Sequence, residues 1–223
     1  MKIIISLTTI PSRLRDEKDV AIKSCIQSLI NQSYEEYEIH FNIPHINQKT
    51  GEEYVIPDWL NSLGGKLKIF RTEDYGSITK ILPTLSREED PESIIIVCDD
   101  DLVYHEDMVA EQVLNQSKFT DEALRDNLTK KRGEKGYITT SKDPVFGDVR
   151  DHYFTSNKIN GEVKVLQGYK TVSYKRRYFD QDFFDKFVDK SWADDIVLSA
   201  YMASRGVKKM VTYHKDDPEF ETL

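Results

Sequence analysis

The sequence predicts an α/β fold in which helices flank a mostly parallel central sheet. Short apolar segments rich in β-branched residues alternate along the chain with segments whose apolar residues recur at helical spacing. This alternation is typical of a parallel sheet that is covered on both faces. The most apolar strand, SIIIVC at 93–98, ends directly on three aspartates. With 223 residues, the chain fits one medium-sized domain, which we expect to span 1–223.

The elements of the first half of the chain are sharply marked. Runs of apolar, β-branched residues predict strands over 2–9, 38–43, 66–71 and 93–98. Helical periodicity predicts a helix over 16–31 after a turn at Pro11, a short helix around Trp59, and helices over 77–85 and 106–116.

The second half is less regular. Strands are predicted over 137–140, 163–174 and 207–213, together with a helix over 191–205 that Gly206 ends. The stretches 119–135 and 141–161 show no clear periodicity, and loops of this length are usually functional or disordered. We expect both stretches to close over a ligand.

Composition and charge exclude several classes of protein. The chain has 31 Lys and Arg against 39 Asp and Glu, a net charge of −8, which argues against a nucleic-acid partner. A phosphorylated ligand would therefore need a metal ion or a local basic group to offset repulsion. Cys25 and Cys98 lie in apolar runs and are expected to be buried free thiols. No run reaches the roughly 20 apolar residues of a membrane span, and the opening lacks the features of a signal peptide, so we expect a cytoplasmic protein.

The three aspartates that follow the 93–98 strand are the strongest candidates for chemistry. In open α/β sheets, ligands bind outside the carboxyl ends of the strands. Alternate residues of an extended segment point the same way, so Asp99 and Asp101 are expected to share a ligand while Asp100 points elsewhere. Their hard oxygen atoms suit Mg²⁺ or Mn²⁺, which can bridge to a diphosphate. A solvated acidic turn is the alternative reading.

Other sites are excluded by their motifs. The chain has no GxGxxG after the first strand and no GxxxxGK[ST], which argues against a dinucleotide oxidoreductase and a P-loop ATPase. An EF-hand starting at Asp99 would need Gly and Glu where the chain has Tyr104 and Ala110.

Four blocks of sequence together resemble the GT-A glycosyltransferases. The blocks are ISLTTIPSR at the start, DYGSITKILPTL, IIIVCDDDLVY with its DXD motif, and WADDIVLSAYMASRGV. They are similar to soluble polysaccharide-type transferases that pair a T-x-P-x-R opening with a DDD strand and an ADD-I helix. They also resemble glycosyltransferase domains of large DNA viruses. The resemblance covers about 1–117 and 165–214 and implies a GT-A fold.

This resemblance implies an enzyme of the hexosyltransferase type in glycan biosynthesis. The donor would be a nucleotide diphosphate sugar, with a UDP-sugar favoured, and the acceptor a glycan or glycoprotein hydroxyl. Residues 1–117 would form the nucleotide-sugar half and 118–223 the acceptor half. Many GT-A enzymes place a metal-ligating histidine near the end of the last strand, so His214 would join Asp99 and Asp101 around Mn²⁺ or Mg²⁺.

Residues at the strand ends have side chains that suit a nucleotide. Hydroxyl groups and a guanidinium after the first strand could hold base and phosphate. In the second block, a carboxylate can accept a base N–H, a glycine permits close approach, and a lysine offers a point charge. For the two threonines and the lysine, an ordinary strand position and a solvated helix position stay open. The expected donor residues are Thr8, Thr9, Pro11, Arg13, Asp74, Gly76, Lys80, Asp99 and Asp100.

The ADD block offers a catalytic base. Ser191 with Asp194 three residues later predicts a capping box, which accounts for Asp194 and leaves Asp195 unexplained. A carboxylate in a first helical turn is favoured in its ionised form and could take a proton from an acceptor hydroxyl. The resemblance places the base of inverting enzymes at this block, and we favour Asp195 over Asp194.

The sequence therefore favours a metal-dependent, inverting glycosyltransferase. Two alternatives stay open at this point. One is a sugar-1-phosphate nucleotidyltransferase, although such enzymes usually carry a Gly-rich basic loop after the first strand that is absent here. The other is a nucleotide-sugar-binding module without activity.

Overall fold

The computed structural model describes residues 1–15, 20–118, 161–162, 165–166, 171–187 and 193–211. Its strands are β1 (Ile3–Leu7), β2 (Glu38–Pro44), β3 (Leu67–Thr72), β4 (Ile94–Cys98), β5 (Gly161–Glu162), β6 (Thr171–Lys175) and β7 (Met210–Val211). Its α-helices are α1 (Pro11–Arg15), α2 (Val20–Ile30), α3 (Asp58–Asn61), α4 (Leu82–Arg87), α5 (Met108–Lys118) and α6 (Asp194–Ser204). Two 3₁₀ helices, Gly76–Lys80 and Arg176–Tyr178, and a π-helical turn, Phe183–Phe187, complete the described elements.

Five strands form the central sheet, in the order β3-β2-β1-β4-β6. The first four run parallel, and β6 lies antiparallel to β4. In the centre, Ile5 of β1 pairs with Ile39 of β2 and with Ile96 of β4. The carboxyl ends of β1 to β4 therefore meet at one edge. The predicted fold class, a mostly parallel sheet flanked by helices, is confirmed.

Two hydrophobic clusters cover the two faces of the sheet. On one face, Ile5 and Ile96 pack with residues of α2 and α5 such as Cys25 and Val109. On the other face, Ile95 and Val97 pack with α4, β6 and α6. Because β4 is covered on both faces, all five of its residues are buried, which is why its sequence is continuously apolar. Both cysteines are buried and free, as predicted.

The predicted 77–85 helix is in fact two short helices. The 3₁₀ helix ends at Lys80, and α4 begins at Leu82 with Pro83 in its first turn. Pro83 has no N–H to continue an earlier helix and is tolerated only in a first turn. The helix is therefore interrupted at Ile81, and Lys80 lies at the end of the first of the two helices, at the edge of the sheet.

The structure tests only part of what the sequence predicts for the second half of the chain. Of the predicted 163–174 and 207–213 strands, the described residues contain β6 and β7. The predicted 137–140 strand and the 119–135 and 141–161 loops lie outside the described residues, apart from Gly161. Gly206 ends the last helix as predicted, with a φ of 70° and with the N–H of Val207 donating to the Met202 carbonyl at 2.8 Å. Within the described ranges, no helix is long and apolar enough to cross a membrane.

Glu88 connects the amino ends of β1 and β4 with the carboxyl end of the antiparallel strand β6. It is buried, and its carboxylate accepts hydrogen bonds from Lys2 Nζ at 3.1 Å, Ser93 Oγ at 3.2 Å and the Asp90 N–H at 2.9 Å. Its carbonyl accepts from Arg176 Nε at 2.8 Å. Burial alone would raise the pKa of Glu88, but the Asp90 N–H and the Lys2 ammonium more than offset it, so the pKa lies below its ordinary value.

We predict that Glu88→Gln lowers the free energy of unfolding at pH 7 by about 1–3 kcal/mol, because charge-assisted hydrogen bonds to a buried carboxylate are lost. A group with a lowered pKa in the folded state stabilises the fold above its unfolded pKa, and this contribution disappears as the pH falls through the folded pKa. The gap between wild type and variant should therefore close below about pH 4.5. Urea denaturation at several pH values measures it, and a gap that is constant with pH would contradict the assignment.

Candidate functional site

Four segments place charged side chains at the carboxyl edge of the sheet. Helix α1, which follows β1, contains Arg13, and the 3₁₀ helix contains Lys80. The aspartate triplet, Asp99–Asp101, follows β4, and α6 begins with Asp194. The side chains of these segments contact one another, as the ion pairs below describe. The structure thus brings together residues from all four sequence blocks. Two blocks include residues of the strands β1 and β4, the third contains the 3₁₀ helix, and the fourth contains the distant α6.

Arg13 holds two members of the triplet at once. Its Nη1 atom pairs with Oδ1 of Asp100, and its Nη2 atom lies 2.9 Å from Oδ2 of Asp101. The Thr9 hydroxyl donates to the other oxygen of Asp100. Burial raises the pKa of Asp100, and Thr9 and Arg13 offset this only in part. Burial opposes the charge of Arg13, but Asp100 and Asp101 outweigh it and raise its pKa.

Lys80 is a buried ammonium between two carboxylates. Its Nζ atom lies 2.9 Å from Oδ1 of Asp99 and 2.8 Å from Oδ2 of Asp194. The side chains of Lys80 and Asp194 are only 10% and 9% exposed. Burial favours the neutral amine, but Asp194 and Asp99 outweigh it, so the pKa of Lys80 is raised. The alternative reading of Lys80 as a solvated helix lysine is wrong.

The triplet departs from the predicted alternation. Asp100 and Asp101 share Arg13, whereas Asp99 turns to Lys80. The extended conformation ends at Cys98, and the backbone bends at Asp100 and Asp101. The two-residue periodicity of a strand therefore no longer applies to these side chains.

The backbone at Asp99 is firmly held. Its N–H donates to the Tyr104 hydroxyl at 2.8 Å, and that hydroxyl donates to the Asp99 carbonyl at 3.0 Å. The Cys25 thiol also donates to this carbonyl, at 3.4 Å. Burial raises the pKa of Tyr104 and of the Cys25 thiol, so both stay protonated donors at neutral pH.

The second block is organised around Asp74. Its carboxylate accepts the N–H groups of Gln48 and Gly76, each at 2.8 Å, and Gly76 adopts a φ of 69° that favours glycine. These bonds fix the loop that leads into the 3₁₀ helix. At the end of β1, the Thr8 hydroxyl donates to the Asn42 carbonyl at 2.7 Å. Asp74, Gly76 and Thr8 thus have local structural partners at the positions where a nucleotide was expected.

A polar network under Lys80 was missed by the sequence analysis. The Ser6 hydroxyl donates to the Lys80 carbonyl at 2.5 Å and lies 2.6 Å from the Thr84 hydroxyl. The Asn42 amide donates to both hydroxyls at 3.1 Å. Ser6 is the one polar residue of β1, and Asn42 lies between the apolar residues Phe41 and Ile43 of β2; this was the available signal.

The predicted capping box at α6 is wrong. The helix begins at Asp194 rather than at Ser191, and its N-cap is Ala193, which has no side-chain cap. The carboxylate of Asp194 turns instead to Lys80, and its N–H donates to Ser77 Oγ at 3.2 Å. Asp195 follows in the first turn and is partly exposed.

The donor set at the triplet suits a hard divalent cation that shares its coordination with a ligand. Within the described ranges, Oδ2 of Asp99 and Oδ1 of Asp101 accept no hydrogen bond. In that same part of the chain, no three metal-binding side chains are grouped together, and His214 lies outside it. Two carboxylates completed by phosphate oxygens and water are a usual arrangement for Mg²⁺.

Comparisons with known proteins give structural likeness only. No family model and no curated protein matches the chain. Among solved structures, S. aureus TarS 1-349 matches 99% of this chain at 12% identity and a TM-score of 0.49, and TarS 1-349 in complex with UDP matches 99% at 13% identity and 0.46. A longer TarS structure matches 55% of this chain at 20% identity and a TM-score of 0.36. The chain spans 60% of the TarS 1-349 chains. At these scores the likeness assigns no function.

We predict that Lys80→Met lowers the free energy of unfolding by about 3–5 kcal/mol, because it leaves Asp99 and Asp194 without their shared cation in a buried site. Lys68→Met is the matched control: its ammonium lies 2.6 Å from Glu38 but is exposed, so it should cost no more than about 1 kcal/mol. Urea denaturation measures both. Equal losses would show that the Lys80 pairs are solvated.

Proposed function

We propose that this protein is a glycosyltransferase that moves a sugar from a nucleotide diphosphate donor, with a UDP-sugar favoured, to a hydroxyl of a glycan or glycoprotein. One observation supports it above all. At the carboxyl edge of a mostly parallel sheet, two cationic side chains and the triplet carboxylates stand together. Such an edge is where open α/β sheets bind ligands, and this charge pattern suits a diphosphate with a divalent ion.

Arg13 and Lys80 would bind the donor phosphates. The guanidinium offers planar paired donors and the ammonium a point charge. Asp99 and Asp101, with His214 as a third ligand, would hold Mn²⁺ or Mg²⁺. That ion would act as a Lewis acid toward the leaving diphosphate. The nucleotide would lie against the loops that contain Thr8, Thr9, Pro11, Asp74 and Gly76. Hydrogen bonds of Thr8, Thr9, Asp74 and Gly76 maintain the conformation of these loops.

Asp195 is proposed as the general base. Its neighbour Asp194 is buried and paired with Lys80, so it is poorly placed to meet an acceptor. Asp195 is the more exposed of the two and lies in the first turn of α6, where the helix dipole favours a carboxylate. It would take the proton of the acceptor hydroxyl as that oxygen attacks the anomeric carbon of the donor sugar. The bond from this carbon to the diphosphate would break on the opposite face, and this single displacement would give inversion. The acceptor would bind mainly to residues 118–223.

We expect the purified chain to release UDP from a UDP-sugar in the presence of Mn²⁺ or Mg²⁺, and to lose this turnover in excess chelator. A screen of nucleotide-sugars with a coupled assay for nucleoside diphosphate measures it. Release of pyrophosphate from a nucleoside triphosphate would indicate a nucleotidyltransferase instead. Binding of a nucleotide-sugar without turnover would indicate a binding module.

Asp195→Asn should lower the rate of transfer to the acceptor by about 10²–10⁴-fold, the usual loss for a general base. Its affinity for UDP should stay near that of wild type, because the donor is held by other residues. Steady-state transfer assays and calorimetric titration with UDP separate the two effects. Near wild-type transfer would move the base to another residue, with Asp194 next. Loss of UDP binding would place Asp195 in the donor site.

A further inference from the structure

The two cations of the site are already engaged with carboxylates. Arg13 and Lys80 together pair with four of them, Asp99, Asp100, Asp101 and Asp194. Every one of these pairs has an N···O separation of 2.9 Å or less. A phosphate group would therefore meet cations that already pair with carboxylates. A divalent cation would meet carboxylates that already pair with side-chain cations.

The side-chain cations contact the same two carboxylates that a metal would use, each at one of its two oxygens. Arg13 contacts one oxygen of Asp101, and Lys80 contacts one oxygen of Asp99. A divalent ion at these carboxylates would stand close to two fixed positive charges, and like charges at such range repel one another more strongly in this half-buried site than in bulk water. Metal binding alone is therefore opposed by Arg13 and Lys80.

A diphosphate alone meets the opposite obstacle. To bind it, Arg13 and Lys80 would have to leave Asp101 and Asp99, and the negative charges of these half-buried carboxylates would then lack a partner. Leaving a buried charge unpaired is strongly unfavourable. When both ligands arrive, Asp99 and Asp101 can exchange their side-chain cations for the metal. Arg13 and Lys80 can then turn to phosphate the donors that these two aspartates release, while they keep their pairs with Asp100 and Asp194.

We propose that Arg13 and Lys80 are resident counter-ions of the aspartate triplet, which change partners from carboxylate to phosphate when metal and diphosphate bind together. The inference rests on the proposed function for the identity of the ligands. It makes the two ligands thermodynamically coupled, and such coupling is reciprocal. Arg13 and Lys80 are then the source of that coupling rather than phosphate ligands alone.

The proposal predicts that one substitution has opposite effects on the two ligands. Arg13→Met and Lys80→Met should bind Mn²⁺ alone more tightly than wild type does, because a repelling charge is gone. Both variants should bind UDP in the presence of Mn²⁺ more weakly. In wild type, saturating UDP should tighten Mn²⁺ binding about 5–150-fold, the usual range of coupling between two sites, and this factor should shrink in the variants.

Isothermal titration of the full chain with Mn²⁺ alone, UDP with chelator, and both together measures these quantities. Lys68→Met removes the same charge at an exposed pair on β3 and should leave Mn²⁺ binding unchanged. Lys80→Arg keeps the charge and should bind Mn²⁺ alone as wild type does. Circular dichroism checks that each variant folds. If Lys80→Met does not fold, Arg13→Met tests the proposal, because the Arg13 side chain is 29% exposed.

Mn²⁺ binding that is no tighter in Arg13→Met than in Lys68→Met would overturn the proposal. So would a coupling factor that is the same in wild type and Arg13→Met. These outcomes can be distinguished from failure of the proposed function, because the nucleotide-sugar screen tests the proposed function separately. A wild type that binds Mn²⁺ and UDP cooperatively without sugar turnover would leave the counter-ion role intact and refute the transferase.

Discussion

The buried ammonium of Lys80 constrains everything around it. A charge that is largely removed from water must be paired, and here the pairing reaches in two directions, to the end of β4 and to the start of α6. The Lys80 carbonyl is fixed in turn by Ser6 on β1. One side chain thereby connects the central strands to a helix from the distant end of the chain, and the position of that helix sets where Asp195 lies.

The fold explains why this pairing is possible. Parallel strands deliver the residues that follow them to one edge of the sheet, and here β1 does so for Arg13 and β4 for the triplet. The 3₁₀ helix ends at the same edge, where Lys80 contacts Asp99. The charged site is therefore built by segments that are far apart in sequence, on a sheet that apolar clusters cover on both faces.

Much of this could be predicted from the sequence, and the exceptions share a physical cause. Strands such as β4 are marked by their own residues, because burial on both faces demands continuous apolar sequence. Gly206 likewise carries its own conformational signal. The residues near Asp194 in the sequence do not indicate its partner. Ser191 lies close enough in sequence to predict a capping pair, whereas Lys80 lies on another element and meets Asp194 only through tertiary packing. The bend after Cys98 was missed for the same reason, since the Tyr104 and Arg13 contacts that accompany it come from outside the strand.

The double hydrogen bond between Tyr104 and the backbone of Asp99 has a kinetic consequence. Because the N–H and the carbonyl of Asp99 are both tied to one hydroxyl, the main chain beneath the triplet is already in place. A change of partners at the carboxylates then needs rotation of side chains and no movement of a loop. Side-chain rotation at exposed positions takes picoseconds to nanoseconds, whereas collective movements take about microseconds to milliseconds. Asp101, the most exposed carboxylate of the triplet, would thus respond to an arriving ligand far faster than any lid could close over it.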